Sequence, residues 1–419
     1  MGADELNHIK RADMVGQGRL IGERAQRRGE AFAGGPVEAN VNRAEAPYHG
    51  IEFHPDVKVD PNADRQARAV PWDDQVEWQS FENTAIYPPT FYLPAAAAID
   101  LGKALGLDVI QTLEVARGLN ALCCTAVGFV ALLLAGQARF LLFTGLTLPM
   151  TLMQFATVTQ DGLLLASCAL ACALIARARG DGRALSAKET WAVTTLLILI
   201  GMAKPPYALF SLLLLCMQFE RPRLKWVAFS AALGMSLAWH LAITALVQAP
   251  THRPEGIPNM SAQAHDLLAN PTFVFTVAKN TLVHSGGEYA AQVIGVLGWL
   301  DTLLPKSYYV AAYLVLIVAA VVTWAPKPAR WLAIILILGL VKLTVYGALY
   351  LSYTGVGAPQ VDGVQGRYFL PVLLLVPLAL IGPGKPQPSH IRSFGIGLVL
   401  LFPIVSLFLV DRALTHRYY

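Results

Sequence analysis

The sequence predicts an all-α polytopic membrane protein: a transmembrane helical bundle of about ten spans with one further interfacial or re-entrant helix. Three observations carry this. Of the 419 residues, 55% are hydrophobic and 14% charged, where a soluble domain carries roughly 25% charged residues. The mean hydropathy is +0.49. From residue 113 onward, apolar runs follow one another across short connections, and bases gather in every second connection.

The first 85 residues are polar and mixed in charge, with turn formers at Gly34-Gly35-Pro36 and Asp60-Pro61-Asn62. Ile9, Met14, Val15, Leu20 and Ile21 among charged neighbours predict a short amphipathic helix, after which the periodicity fades. Low-complexity disorder is the alternative for this arm. Against it stand Trp72, Trp78, Phe81 and Tyr87, aromatic anchors that disordered tails lack. At Tyr87-Pro88-Pro89-Thr90-Phe91-Tyr92-Leu93-Pro94 the composition switches. The helix expected from Ala95 to Leu107, interrupted by Asp100 and Lys103, is too short to cross about 30 Å of hydrocarbon. It belongs in the interface, where aromatic residues favour the headgroup level.

Ten apolar segments then read as spans: 113–134, 140–156, 163–176, 191–203, 207–218, 226–247, 308–324, 331–353, 368–381 and 394–410. Several fall short of about 20 residues and need shielding by their neighbours. The chain thus divides into an extracytoplasmic loop (1–85), a multi-pass domain (86–412) and a short outward tail (413–419). Cys123, Cys124, Cys168, Cys172 and Cys216 lie inside apolar runs, as small packing residues do.

Arg139, the run 177–183, the run 221–225, Lys327 with Arg330, and Lys385 with Arg392 occupy alternate connections, which the positive-inside rule assigns to the cytoplasm. The arm, the connections 250–306 and 354–367, and the tail then face outward. A polar arm on the outer side calls for a preceding signal or helix, and residues 1–85 contain neither. The expectation is therefore a first transmembrane helix missing from this chain. The net charge of +4 is spread over the arm and the short loops, so it reports topology and not nucleic-acid binding.

Ionisable groups at a membrane are costly and need a reason. On the expected outer side these are the pair Asp4-Glu5, Asp161, Lys204 and Arg367. Acids and bases at one membrane face suit attack by a hydroxyl on a carbon bonded to phosphate. A carboxylate takes the proton, and a cation stabilises the departing phosphate. Each has a plainer reading: Asp4, Glu5 and Asp161 as acids at helix starts, Lys204 and Arg367 as bases snorkelling to headgroups. Inside the spans, Lys342 needs a partner, while His240 reads as a hydrogen-bonded core residue. His8, His49 and His54 are scattered, and no metal-ligand spacing, P-loop or dinucleotide motif is present.

Six strings, taken in order, resemble one bacterial family. They are the run from Asp4-Glu5-Leu6-Asn7-His8 to Gly18, Tyr87-Pro88-Pro89 to Pro94, Leu148-Pro149-Met150, Ala203-Lys204-Pro205, Gly298-Trp299-Leu300-Asp301, and Gly363 to Pro371. The family is that of predicted membrane proteins catalogued as domain of unknown function 2142, which is similar to the GT-C glycosyltransferases. The resemblance implies a sugar donor on polyprenyl phosphate, an envelope glycan or lipid acceptor, and contact with membrane lipids. It implies Asp4 or Glu5 as base, Lys204 and Arg367 as phosphate contacts, and a family acid position at Asp161. Thr159 and Gln160 depart from the Ser-Tyr pattern there. No cofactor is expected, with a divalent metal left open. A transporter or flippase using Lys342 and His240, or a non-catalytic assembly partner, are the competing expectations.

Overall fold

The computed structural model describes residues 2, 4–27, 29–73, 75–249, 258–325, 330–383 and 390–419, the side chain of Ile391 excepted. Lys327 and Lys385, counted above in the loop pattern, lie outside the described residues.

The arm is folded. Helix α1 (Glu5–Gly16) is the expected amphipathic helix and buries Ile9, Ala12, Met14 and Val15, whereas Leu20 and Ile21 lie beyond its end and are exposed. Against it packs an antiparallel meander of β1 (Glu23–Arg27), β2 (Glu30–Glu38) and β3 (Val76–Ser80), with β2 central. This corrects the all-α expectation, and Gly34-Gly35-Pro36, expected as a turn, lies within β2. The cause is close packing. A Cβ on Gly34 would stand 1.9 Å from the Gln79 carbonyl oxygen, and one on Gly35 2.6 Å from Met14 Sδ, so only glycines let β3 and α1 close on the strand.

Helices α2 (Asn40–Glu45) and α3 (Pro61–Ala67) fill the crossover from β2 to β3. Asp60-Pro61-Asn62 opens α3: the Asp60 carboxylate accepts from the Asn62 amide, and Pro61 takes the first helical position. Helix α4 (Leu93–Ala104) stands where a helix is expected at residues 95–107, and the Lys103 that interrupts its apolar run serves the arm. Lys103 Nζ reaches Asp13 Oδ1 at 2.7 Å and Glu38 Oε2 at 3.0 Å, and sits 4.4 Å from the centre of the Trp72 ring. The arm's core continues through Tyr92, Ala98 and Ile99 into Val109 and Leu113 of α5 (Val109–Leu134).

The bundle follows with α6 (Arg139–Leu146), α7 (Pro149–Phe155), α8 (Gln160–Gly180), α9 (Ala187–Ala203), a 3-10 helix (Pro205–Cys216) and α10 (Pro222–Leu246). After α11 (Met260–Ala269) and α12 (Phe273–Ile294) come a hairpin of β4 (Val296–Leu297) and β5 (Thr302–Leu303), then α13 (Lys306–Thr323) and α14 (Trp331–Ser352). A 3-10 turn (Gly366–Phe369), α15 (Leu370–Leu375), α16 (Pro377–Leu380) and α17 (His390–Tyr418) complete the chain.

Among the described residues six helices are long and apolar enough to cross a membrane: α5, α8, α10, α13, α14 and residues 392–418 of α17. The apolar stretch of α8 is 78% buried against 22% for that of α5, which makes α8 the axis around which the others pack. The remaining four expected spans are short or broken. Segment 140–156 divides at Leu148-Pro149, α9 has 17 residues, and 366–380 is three pieces. The 12-residue segment Pro205–Cys216 is stretched as a 3-10 helix, and a rise of about 2 Å per residue gives it about 24 Å.

The two ends of the bundle differ. Arg179 and Arg183 from one base-rich loop and Arg330 from another meet around Cys216, Met217 and Pro383, so these loops share one end. The other end gathers the arm, the β4–β5 hairpin and the end of α17, which runs helically through residues 413–418 where a short tail is expected. There Arg417 donates to the Val57 and Ile51 carbonyls at 2.9 and 2.8 Å and pairs with Asp301 at 2.8 Å.

Candidate functional site

Four segments distant in sequence bring the predicted acids and bases together at the arm end of the bundle. Asp4 precedes α1 with φ 63°, a left-handed conformation that Asp and Asn adopt more readily than other side chains. An Asp in this position ordinarily accepts hydrogen bonds from its own helix, which stabilises by about 1 kcal/mol. Here the carboxylate makes no such bond. Oδ2 receives Arg367 Nη2 at 2.5 Å, and Oδ1 receives Asn83 Nδ2 at 3.2 Å.

Asp161 enters at the start of α8, where Thr159 caps the Asp161 amide at 3.2 Å and the helix dipole favours an acid. Its two oxygens lie 3.1 and 3.2 Å from Lys204 Nζ. Lys204 ends α9 in extended backbone (φ −148°, ψ 136°), since a residue before proline is driven out of the helical region. The ammonium also lies 4.2 Å from the centre of the Tyr368 ring. Arg367 sits in the 3-10 turn after Gly366, whose amide donates to Gln292 Oε1 of α12 at 2.6 Å.

His8 joins this centre, one turn of α1 beyond Asp4. Its Nδ1 stands 2.6 Å from Tyr92 Oη, and its ring stacks on Tyr87 with centroids 6.0 Å apart. Burial, outweighing the nearby charges of Asp161 and Asp4, lowers its pKa to about 4, so the ring is neutral at pH 7. Arg11, fully buried, fixes the turn behind it by donating to the Tyr87 carbonyl at 2.9 Å and the Leu20 carbonyl at 2.6 Å. The helical spacing of His8 from Asp4 was a signal available in the sequence. The roles of Tyr87, Tyr92, Tyr368 and Arg117 had none, because each depends on tertiary packing.

Glu5 is turned away from the centre. Arg117 grips it with Nε to Oε1 at 2.8 Å and Nη2 to Oε2 at 2.9 Å, and the amides of Val158 and Gly2 add bonds of 2.9 Å each. All its acceptor directions are taken up by the protein.

A cavity of about 220 Å³ lies against Lys204 and Tyr368, walled by α10 and α14 and lined also by Tyr87, Tyr207 and His240. His240 Nε2 donates to the Gly201 carbonyl at 2.8 Å, the core role expected of it. Lys342 lines a different, almost wholly apolar groove of about 680 Å³ between α12 and α14, and its ammonium lies 5.1 Å from the Phe369 ring centre. Among the described residues no three His, Cys, Asp or Glu side chains are grouped to hold a metal ion. Asp4 and Asp161 are each already paired with a base.

The sequence profile of the family described as a predicted membrane protein, DUF2142, matches residues 1–376. The chain belongs to this family. The match takes in the arm and every residue of the acid–base centre, and α17 lies beyond it. No curated protein and no solved structure matches the chain.

Proposed function

We propose that this member of the family is a GT-C-like membrane glycosyltransferase of the bacterial inner membrane. In this reading all ten apolar segments are spans, and the acid–base centre lies at the outer face. It transfers a sugar from a polyprenyl-phosphate donor to an envelope glycan or lipid acceptor. The observation that carries the reading is the convergence of Asp4, His8, Asp161, Lys204 and Arg367 beside a cavity between two membrane helices.

Asp4 is the candidate base. Its side chain is 34% exposed, whereas that of Glu5 is 1% exposed and saturated. The acceptor hydroxyl gives its proton to Asp4 and bonds to the anomeric carbon. The bond from that carbon to the phosphate oxygen breaks, and the lipid phosphate leaves with the electron pair. Lys204 and Arg367 receive that charge, held in place by Asp161 and Tyr368 until the donor arrives. Neutral His8 bonds Tyr92 and keeps Tyr87 at the cavity wall.

Asp4→Asn in the purified protein lowers transfer from a synthetic polyprenyl-phosphate sugar by about 100-fold or more, the scale of a lost general base. Undiminished turnover in that variant removes Asp4 from the mechanism.

A further inference from the structure

The hairpin Gly298-Trp299-Leu300-Asp301 takes no part in the phosphate centre, yet it is built at a cost. Leu300 is held at φ 61°, a left-handed conformation that strains a bulky residue. Gly298, at φ 62°, admits no side chain: a Cβ there would stand 2.6 Å from Tyr418 Oη and 2.7 Å from Asp301 Oδ1. Asp301 clamps the turn by accepting from the Trp299 amide at 3.2 Å, the Thr302 hydroxyl at 3.0 Å and Arg417 at 2.8 Å. From the arm, Phe53, itself at φ 58°, meets the Trp299 ring edge-on at 5.9 Å.

The result of this arrangement is the position of the Trp299 ring on the wall of a cavity of about 200 Å³. Tyr48 and Tyr418 supply further aromatic wall, and Arg68, Glu114 and Arg117 supply the polar groups. These are fixed by mutual bonds: Arg68 to Asp64 at 3.0 Å and to Glu114 at 2.9 Å, and Tyr48 Oη to Asp64 at 2.6 Å. The Arg68 guanidinium is balanced by the carboxylates of Asp64 and Glu114, and that of Arg117 by Glu5. An anion gains little there, and a purely apolar ligand would leave charged groups without water.

We propose that this cavity binds a saccharide and is the acceptor subsite of the transfer proposed above, a step that rests on that reading. A sugar ring has an apolar C–H face to lay on an aromatic ring, and hydroxyls that both donate and accept. Trp299 with Tyr48 and Tyr418 offers the first requirement. The fixed carboxylates and guanidinium groups offer the second. Arg117, which lines the cavity, also holds Glu5, the residue that follows Asp4 in the chain.

The test is saturation-transfer NMR on the full chain in nanodiscs, with oligosaccharides released by mild acid from the host's own envelope glycan as probe. Saturation appears on sugar-ring protons with the wild type. It falls about fivefold or more in Trp299→Ala and in Glu114→Gln, and is restored in Trp299→Phe. Glu114 is exposed on α5, so its variant keeps the fold if Trp299→Ala does not. Asp4→Asn retains saccharide binding while losing transfer, which separates failure of this inference from failure of the catalytic reading. Absence of saturation with the wild type, or equal saturation in wild type, Trp299→Ala and Glu114→Gln, overturns the subsite.

Discussion

Glu5 and Glu45 are buried carboxyl groups within each other's field, and they resolve burial in opposite ways. Burial works to raise the pKa of Glu5, but the Arg117 guanidinium and the Val158 amide outweigh it and hold the group down at about 2. Glu45 ends α2 with neither carboxyl oxygen hydrogen-bonded among the described residues. Burial first, and the Glu5 charge second, push it up to about 8. Between the ordinary value of 4.5 and about 8, the folded chain therefore holds a proton that the unfolded chain has released. Stability is full below that window and is lost as pH rises through it. Below about pH 6.5 the opposite linkage of His8, which folds neutral, offsets this slope, so the thermal midpoint of the wild type should fall between about pH 6.5 and about pH 8, and Glu45→Gln should flatten that slope and raise the midpoint at the alkaline end. A scanning-calorimetry series in which the two chains share one slope would remove Glu45 as its source. Residues of this kind differ in legibility. Asp4, Asp161, Lys204 and Arg367 stood out because a charge beside an apolar run demands a reason. What the sequence does not carry is the pairing of Asp4 with Arg367 across 363 positions, or the turning of Glu5 toward Arg117.

At the level of elements, long apolar runs announced α5, α8, α10, α13, α14 and α17 because lipid demands a continuous apolar helix. The meander was hidden, since β1 reads Glu-Arg-Ala-Gln-Arg with no alternation, and β2 owes its place to glycines that let neighbours approach. Helix α12 was hidden too, because Lys279, Asn280, His284 and Glu288 break its apolar run within the long connection. One junction ties the arm to two helices of the bundle at once. Arg117 of α5 fixes Glu5 at the start of α1, and Glu5 in turn fixes the Val158 amide ahead of α8. Arg117→Ala leaves the Glu5 charge buried without its partner, which costs about 3 kcal/mol. The expected outcome is a lower melting midpoint together with loss of transfer. Arg117→Lys restores a charge but not the two-pronged grip, so it should recover stability only in part. A variant as stable as the wild type would show that the arm is held by its other contacts alone.

For the molecule as a whole, the strongest constraint is that chemistry-bearing groups and base-rich loops separate to opposite ends. Asp161, Lys204 and Arg367 come from three different connections, all expected outward, and they meet with Asp4. Arg179, Arg183 and Arg330 come from loops expected inward, and they share one pocket. Such sorting has a physical basis, because each pass through a membrane reverses direction and the positive-inside rule gathers bases in alternate connections. Segments that are short, such as α9 and the 3-10 helix Pro205–Cys216, count as full passes in this frame. A pair of short helices forming one re-entrant loop would leave both Arg183 and Arg221 on the same side just as well. The discriminating position is Lys204, between those two segments: if each is a pass, it faces outward with Asp4. Single cysteines placed at Arg183, Arg221 and His265 in a cysteine-free background, probed with a membrane-impermeant maleimide on intact cells, check the frame. His265 should label from outside, and the other two only after permeabilisation. A cysteine at Asn83, which bonds Asp4 beside the Lys204–Asp161 pair, should label with His265. Labelling of Asn83 only after permeabilisation would put the acid–base centre on the cytoplasmic face, where a donor presented at the outer face could not reach it.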